Sequence, residues 1–173
     1  MASKLLLLLI TATAVLAACA SPSGDPRATA QLQPTTGNTT SGTVSFVQRG
    51  SKVHVSGEVR DLKPNAEHGF HVHEKGDCSS GDGMSTGGHF NPTGAPHGSH
   101  AMGMHHTGDL PSLKADAGGV ARFSFESSTI AVGSGITDIV GKGLIVHRDP
   151  DDYKTQPTGN AGPRLACAVI SRS

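Results

Sequence analysis

Gly69-Phe70-His71-Val72-His73-Glu74, within the run Glu67 to Glu74, is the stretch from which the fold follows. Side chains alternate across a strand with period 2, so His71 and His73 share one face while Phe70 and Val72 share the other. The stretch therefore reads as a strand that carries both imidazoles on one face. Gly88-His89-Phe90-Asn91-Pro92, His97, His106, Asp109 and the distant His147 extend that pair. Six histidines and one aspartate suit two metal ions: an all-imidazole set suits copper, and imidazoles with one carboxylate suit zinc. Two such metals side by side point to redox chemistry on a small molecule rather than to a structural staple.

Outward from this strand the chain reads as all-β. Ala28–Gln33, Thr43–Val47 and Val53–Val59 alternate, and Arg49-Gly50-Ser51-Lys52 joins the latter two as a hairpin. Alternation returns at Val120–Phe125, while Leu144–His147 and Leu165–Ile170 read as later strands. With 23 Gly, 10 Pro and no Trp, turns are frequent and the core must be Val, Ile, Leu and Ala with a few Phe. Lys75–Met104 and Asp149–Gly162 lack apolar periodicity, and loops this long in a compact domain carry function. The expectation is a Greek-key β-sandwich or flattened barrel of about eight antiparallel strands with two long functional loops. With 14 Lys plus Arg against 14 Asp plus Glu, nothing points to nucleic acid.

Residues 1–18 read as a signal peptide, with Lys4 before the apolar Leu5–Ile10. The segment is too short for a confident membrane span. It ends in Leu16-Ala17-Ala18-Cys19, which resembles the lipobox of bacterial lipoproteins, where the cysteine is lipidated. Residues 19–27 then form the lipidated cysteine and a flexible tether, and 28–173 the folded domain. The implied location is the cell envelope, anchored to a membrane on the periplasmic side. Ala20 brings no inner-membrane retention signal, which favours the outer membrane. If Cys19 carries lipid, Cys78 and Cys167 remain as one pair in an oxidising compartment. Two free thiols are the alternative.

The motifs Gly69-Phe70-His71-Val72-His73, Gly88-His89-Phe90-Asn91-Pro92, His106-Thr107-Gly108-Asp109-Leu110 and Gly159-Asn160-Ala161-Gly162-Pro163-Arg164-Leu165-Ala166-Cys167, in this order, resemble the copper/zinc superoxide dismutase family, with the bacterial exported branch nearest in character. The resemblance implies one copper and one zinc per subunit, with superoxide as substrate. It implies copper on His71, His73, His89 and His147, and zinc on His89, His97, His106 and Asp109. His89 is then a shared imidazolate that can take up and hand on a proton. Asp151 resembles the carboxylate linking a copper histidine to a zinc histidine. Arg164 resembles the arginine that attracts and orients the anion, with Lys154 adding positive charge. The resemblance leaves monomer and homodimer both open.

Some features depart from the family or compete with this reading. Cys78 lies five positions after His73, closer than in the animal enzymes. His105 competes with His106, which is preferred because His-x-x-Asp-Leu matches the family. His97-Gly98-Ser99-His100-Ala101-Met102-Gly103-Met104-His105-His106 supports a rival function, an exported copper-buffering or copper-delivery protein, since thioether plus imidazole suits Cu(I). His54 reads as structural or solvated, and His68 as bonded to backbone. Gly83-Met84-Ser85-Thr86-Gly87 matches a nucleophile elbow only formally, for it has no strand before it and no helix after it.

Overall fold

A computed structural model describes residues 24–173. The expected signal peptide, Cys19 and most of the tether lie outside the described residues. The main sheet begins with β1 (Arg27–Pro34), β2 (Ser41–Arg49) and β3 (Lys52–Arg60), which pair antiparallel in sequence. Arg49 pairs with Lys52, so Gly50-Ser51 is a two-residue turn. Gly50 sits at φ 57 there, the left-handed conformation that such hairpins require of their first turn residue.

The expected strand Glu67–Glu74 is broken in two. β4 (Glu67–His68) and β5 (Phe70–His73) are separated at Gly69 and join different partners. A Cβ at Gly69 would stand 2.7 Å from the Ala161 Cβ and 3.1 Å from His71 Cε1, so only glycine lets the chain turn through that gap. β4 pairs with β6 (Leu113–Lys114), a short strand that alternation did not reveal. β7 (Ala121–Ser127) closes one edge on β3, and β8 (Gly143–His147), β9 (Arg164–Val169) and β10 (Ser171–Arg172) complete the set. Among the described residues there are ten strands, against the seven segments named from sequence; the break at Gly69, β6 and the C-terminal β10 are the additions.

The sheet order is β5-β8-β9-β1-β2-β3-β7, with β10 also on β1. β1 links the two halves: Ala28–Leu32 pair with β2, while Gln33 and Pro34 pair with Cys167 and Ala166 of β9. One apolar cluster fills the space between them, with Phe46 and Val55 from one half and Phe70, Leu144 and Val146 from the other. Phe70 meets Phe123 edge-on at 5.5 Å. β8 is buried along its whole length, as expected of a central strand with both faces covered. The connection from β7 to β8 carries the chain from one edge of the sheet path to the other half, as in a Greek key.

Candidate metal centre

β5 and β8 are neighbours in register, His71 opposite Ile145, which brings His71 and His73 beside His147 at the irregular end of β8. The loop ligands are stitched onto the same strand. Phe90 N–H donates to the Val72 carbonyl at 2.8 Å, and Val72 N–H to Gly108 at 2.9 Å. These bonds place His89 opposite His73 and Asp109 opposite His71. Two tetrads result, His71/His73/His89/His147 and His89/His97/His106/Asp109, each with its ligand atoms within 4.8 Å of one another and every residue buried. His105 belongs to neither: its ring N–H bonds the His106 carbonyl at 2.7 Å.

The hydrogen bonds decide which nitrogen each ring offers. A carbonyl only accepts, so Nδ1 of His73 donates to Gly87 (2.9 Å) and Nδ1 of His147 to Gly162 (3.0 Å). In each ring Nε2 is left with its lone pair free. His71 is reversed: Nε2 meets Asp151 Oδ2 at 2.8 Å, and Nδ1 is the free nitrogen. His71 Nδ1, His73 Nε2, His89 Nε2 and His147 Nε2 are all buried without a hydrogen-bond partner. Orphaned buried acceptors are costly, and four converging ones fit a cation that no protein donor replaces. On the other side of His89, Nδ1 lies 2.9 Å from Asp109 Oδ1 and 3.4 Å from His106 Nδ1. His97 Nδ1 stands 3.0 Å from Asp109 Oδ2 yet makes no hydrogen bond. The two atoms approach side by side, as two ligands of one ion do. Both donor sets therefore fit their groups, imidazole alone for copper and imidazole plus carboxylate for zinc.

Asp151 joins the tetrads, one oxygen on His71 and the other on His97 Nε2 at 2.9 Å. Its loop leaves no room for a side chain at Gly159, where a Cβ would fall 1.9 Å from Asp151 Oδ1 and 2.5 Å from His97 Nε2. Burial would raise Asp151 and Asp109, but hydrogen bonds from the surrounding histidines outweigh it and hold both carboxyls well below the usual range. Burial pushes His89 down to about 4 against the pull of Asp109. It opposes a charge on His97 too, yet the two carboxylates beside the ring, Asp109 and Asp151, win and raise it to about 9. His73 and His147 are driven well below the ordinary histidine value by burial and by their fellow imidazoles.

A cavity of about 240 Å³ opens onto the first tetrad, lined by His73, His89, His147, Met84, Arg164, Thr158 and Ala161–Pro163. Arg164 is its one lining cation, and Lys154 does not line it. The guanidinium is clamped by Thr86 Oγ1 (2.8 Å), the Gly87 carbonyl (2.7 Å) and the Gly83 carbonyl. Residues 83–87, which mimic a nucleophile elbow in sequence, form a single 3-10 turn with that clamping role. The disulfide Cys78–Cys167 ties the same loop to β9. His54 bonds Ser124 and His68 bonds the His147 carbonyl, outside both tetrads. Sequence reading missed the Gly83, Gly87 and Gly162 carbonyls, whose contribution is backbone. It also missed Gln156, which grips His97 by its amide N–H and its carbonyl, both at 2.8 Å. No motif marks such contacts.

Comparison with known proteins places the whole arrangement. A family model described as Copper/zinc superoxide dismutase (SODC) matches residues 40–170. A Cu-Zn superoxide dismutase of Paramecium bursaria Chlorella virus 1 is 45% identical over 135 residues, covering 75% of this chain and 71% of the viral one. That of Saccharomyces cerevisiae is 42% identical over 138 residues, 75% and 88% of the two chains. Cu-Zn superoxide dismutase 2 of Aquifex aeolicus is 36% identical over 165 residues, 93% and 96% of the two. The crystal structure of the clock protein EA4 superposes with a TM-score of 0.77 at 40% identity, covering 86% of this chain and 96% of that one.

Proposed function

The chain belongs to the copper/zinc superoxide dismutase family, and from that premise we propose which of its residues carry the reaction and where the enzyme works. Two superoxide anions and two protons become dioxygen and hydrogen peroxide. His71, His73, His89 and His147 would hold copper, and His89, His97, His106 and Asp109 zinc. Copper supplies reversible one-electron chemistry there, and zinc a fixed charge without redox of its own. Arg164 draws the anion into the cavity and orients it, because a guanidinium stays charged and keeps a donor edge beyond its own clamps. His89 would take up a proton at Nε2 whenever copper does not engage that nitrogen, and would release it to the reduced oxygen species. Backbone carbonyls lock His73 and His147 in the tautomer that leaves Nε2 free, so each ring would offer copper a lone pair.

The observation that carries this reading is one ring with two nitrogens in two tetrads: His89 Nε2 among the imidazoles and Nδ1 beside Asp109. Diffraction from the loaded protein at the copper and zinc absorption edges tests it. One ion on each side of His89, with one copper and one zinc per active chain, is the expected outcome. Two ions that share no residue would remove the assignment. His147→Ala should keep zinc but lose dismutase activity by more than about 100-fold, since even outer contacts of a metal site are worth ~10–100-fold. Full activity in that variant would misplace the copper tetrad.

The lipobox-like Leu16-Ala17-Ala18-Cys19 supports export and lipid anchoring to the cell envelope, with the outer membrane favoured. A Cys19→Ser variant should move from the membrane fraction to the soluble one. A wild-type chain that lacks diacylglyceryl mass at Cys19 would refute the anchor. The two-metal site lies within one chain and does not depend on whether the enzyme is a monomer or a homodimer.

A further inference from the structure

Between Ser99 and His105 the chain makes an excursion that supplies no ligand to the two-metal centre; at its base the Gly98 N–H donates to Asp109 Oδ2 at 3.1 Å. It is pinched at its base, where a Cβ on Gly98 would lie 3.0 Å from the Met104 carbonyl oxygen and 3.6 Å from His105 Cβ. Inside it, Met102 N–H closes a turn on the Ser99 carbonyl at 2.9 Å. His100, Met102, Met104 and His105 are thus gathered on one short loop. Met102 and Met104 are 72% and 77% exposed, so neither thioether fills a core gap. Methionine usually serves as an adaptable core residue. His105 commits its Nδ1–H to the His106 carbonyl and leaves Nε2 as a free acceptor. His100 and His105 line one small cavity of about 70 Å³, which Asp109 and Glu126 also line and the two methionines do not.

Two thioethers and two imidazoles form a neutral donor set. Imidazole serves zinc and Cu(II) as well, but thioether is a soft ligand that favours Cu(I), which also needs no anionic ligand beside it. We propose that His100, Met102, Met104 and His105 form a third metal site, on the surface of this loop, that binds Cu(I). The site is separate from the buried tetrads and stands whether or not their assignment does. The loop that suggested a copper-buffering protein is in this view a second copper site on an enzyme.

The test uses the full chain loaded with copper and zinc, its free thiols alkylated, titrated anaerobically with Cu(I) against a chromogenic Cu(I) chelator. One further Cu(I) per chain is expected, with sulfur in its coordination shell by X-ray absorption and no loss of zinc. M102L/M104L should weaken that uptake by roughly tenfold or more, as for loss of ligands from a metal site, while zinc, resident copper and dismutase activity stay unchanged. H100N/H105N should weaken it as well. No uptake beyond the resident copper, equal uptake by the methionine variant, or a shell without sulfur would each overturn the proposal.

Discussion

Asp151 shows how much of the site rests on single contacts. It accepts from His71 Nε2 at 2.8 Å, from His97 Nε2 at 2.9 Å and from the Tyr153 amide at 2.7 Å, so it sets one imidazole in each tetrad. Asp151→Asn keeps the shape but can accept at only one of the two ring contacts, and the other then meets an amide N–H. The expected outcome is a folded protein whose zinc affinity falls ~10–100-fold, read by competition with a chelator. Unchanged affinity for both metals would make Asp151 a loop anchor only. Arg164 is both clamped and functional. Arg164→Ala should slow the enzyme about tenfold or more at low salt and flatten its salt dependence; superoxide dismutases are themselves an established example of such steering, so the size of the effect is borrowed. Arg164→Lys should restore part of the salt dependence, because charge survives although the three-point clamp is lost. An alanine variant with the parent's rate and salt profile would leave Arg164 a purely structural residue.

Elements divided sharply in how far they could be read. Strands with one wet face, such as β3 and β7, announced themselves by alternation, and their bounds came out within about two residues. The break at Gly69 was hidden, because Glu67–Glu74 keeps a strand-like pattern on both sides of it and only tertiary contacts separate the halves. β6 is two residues long, too short for any period to register. The metal-facing side chains were legible because their chemistry is unusual, whereas their supports at Gly83, Gly87 and Gly162 are carbonyls that every residue possesses. The Cys78–Cys167 pairing came from counting thiols, and the structure adds its use. It closes a sequence separation of 89 residues and pins the arginine clamp to β9. On loop-closure entropy, Cys78→Ser/Cys167→Ser should lower the stability of the metal-free protein by about 4 kcal/mol, measured by denaturant unfolding. A loss under about 1 kcal/mol would mean that the unfolded chain is already constrained there.

For the molecule as a whole, stability and metal are linked through histidines that are abnormal before any ion arrives. In the metal-free protein His73, His147 and His89 resist protonation when folded, His89 down to about 4, while in the unfolded chain they titrate near ~6.5. Between those values the unfolded state binds more protons, so their contribution is complete above pH ~6.5 and drains away as pH falls through about 4. Asp109 and Asp151, depressed as well, withdraw theirs at still lower pH. His97 acts in the opposite sense. Its folded value of about 9 means a contribution that is full below pH ~6.5 and lost as pH rises towards about 9. Three rings oppose acid and one opposes alkali. The metal-free Tm should therefore peak near pH ~6.5, fall steeply towards pH ~4 and decline gently towards pH ~9. Zinc should abolish the alkaline decline, since His97 is then neutral in the folded state as it is in the unfolded one. A scan of Tm against pH, with and without zinc, decides the matter. A metal-free Tm that held level or rose on acidification would show that the tetrads are not formed until the ions bind.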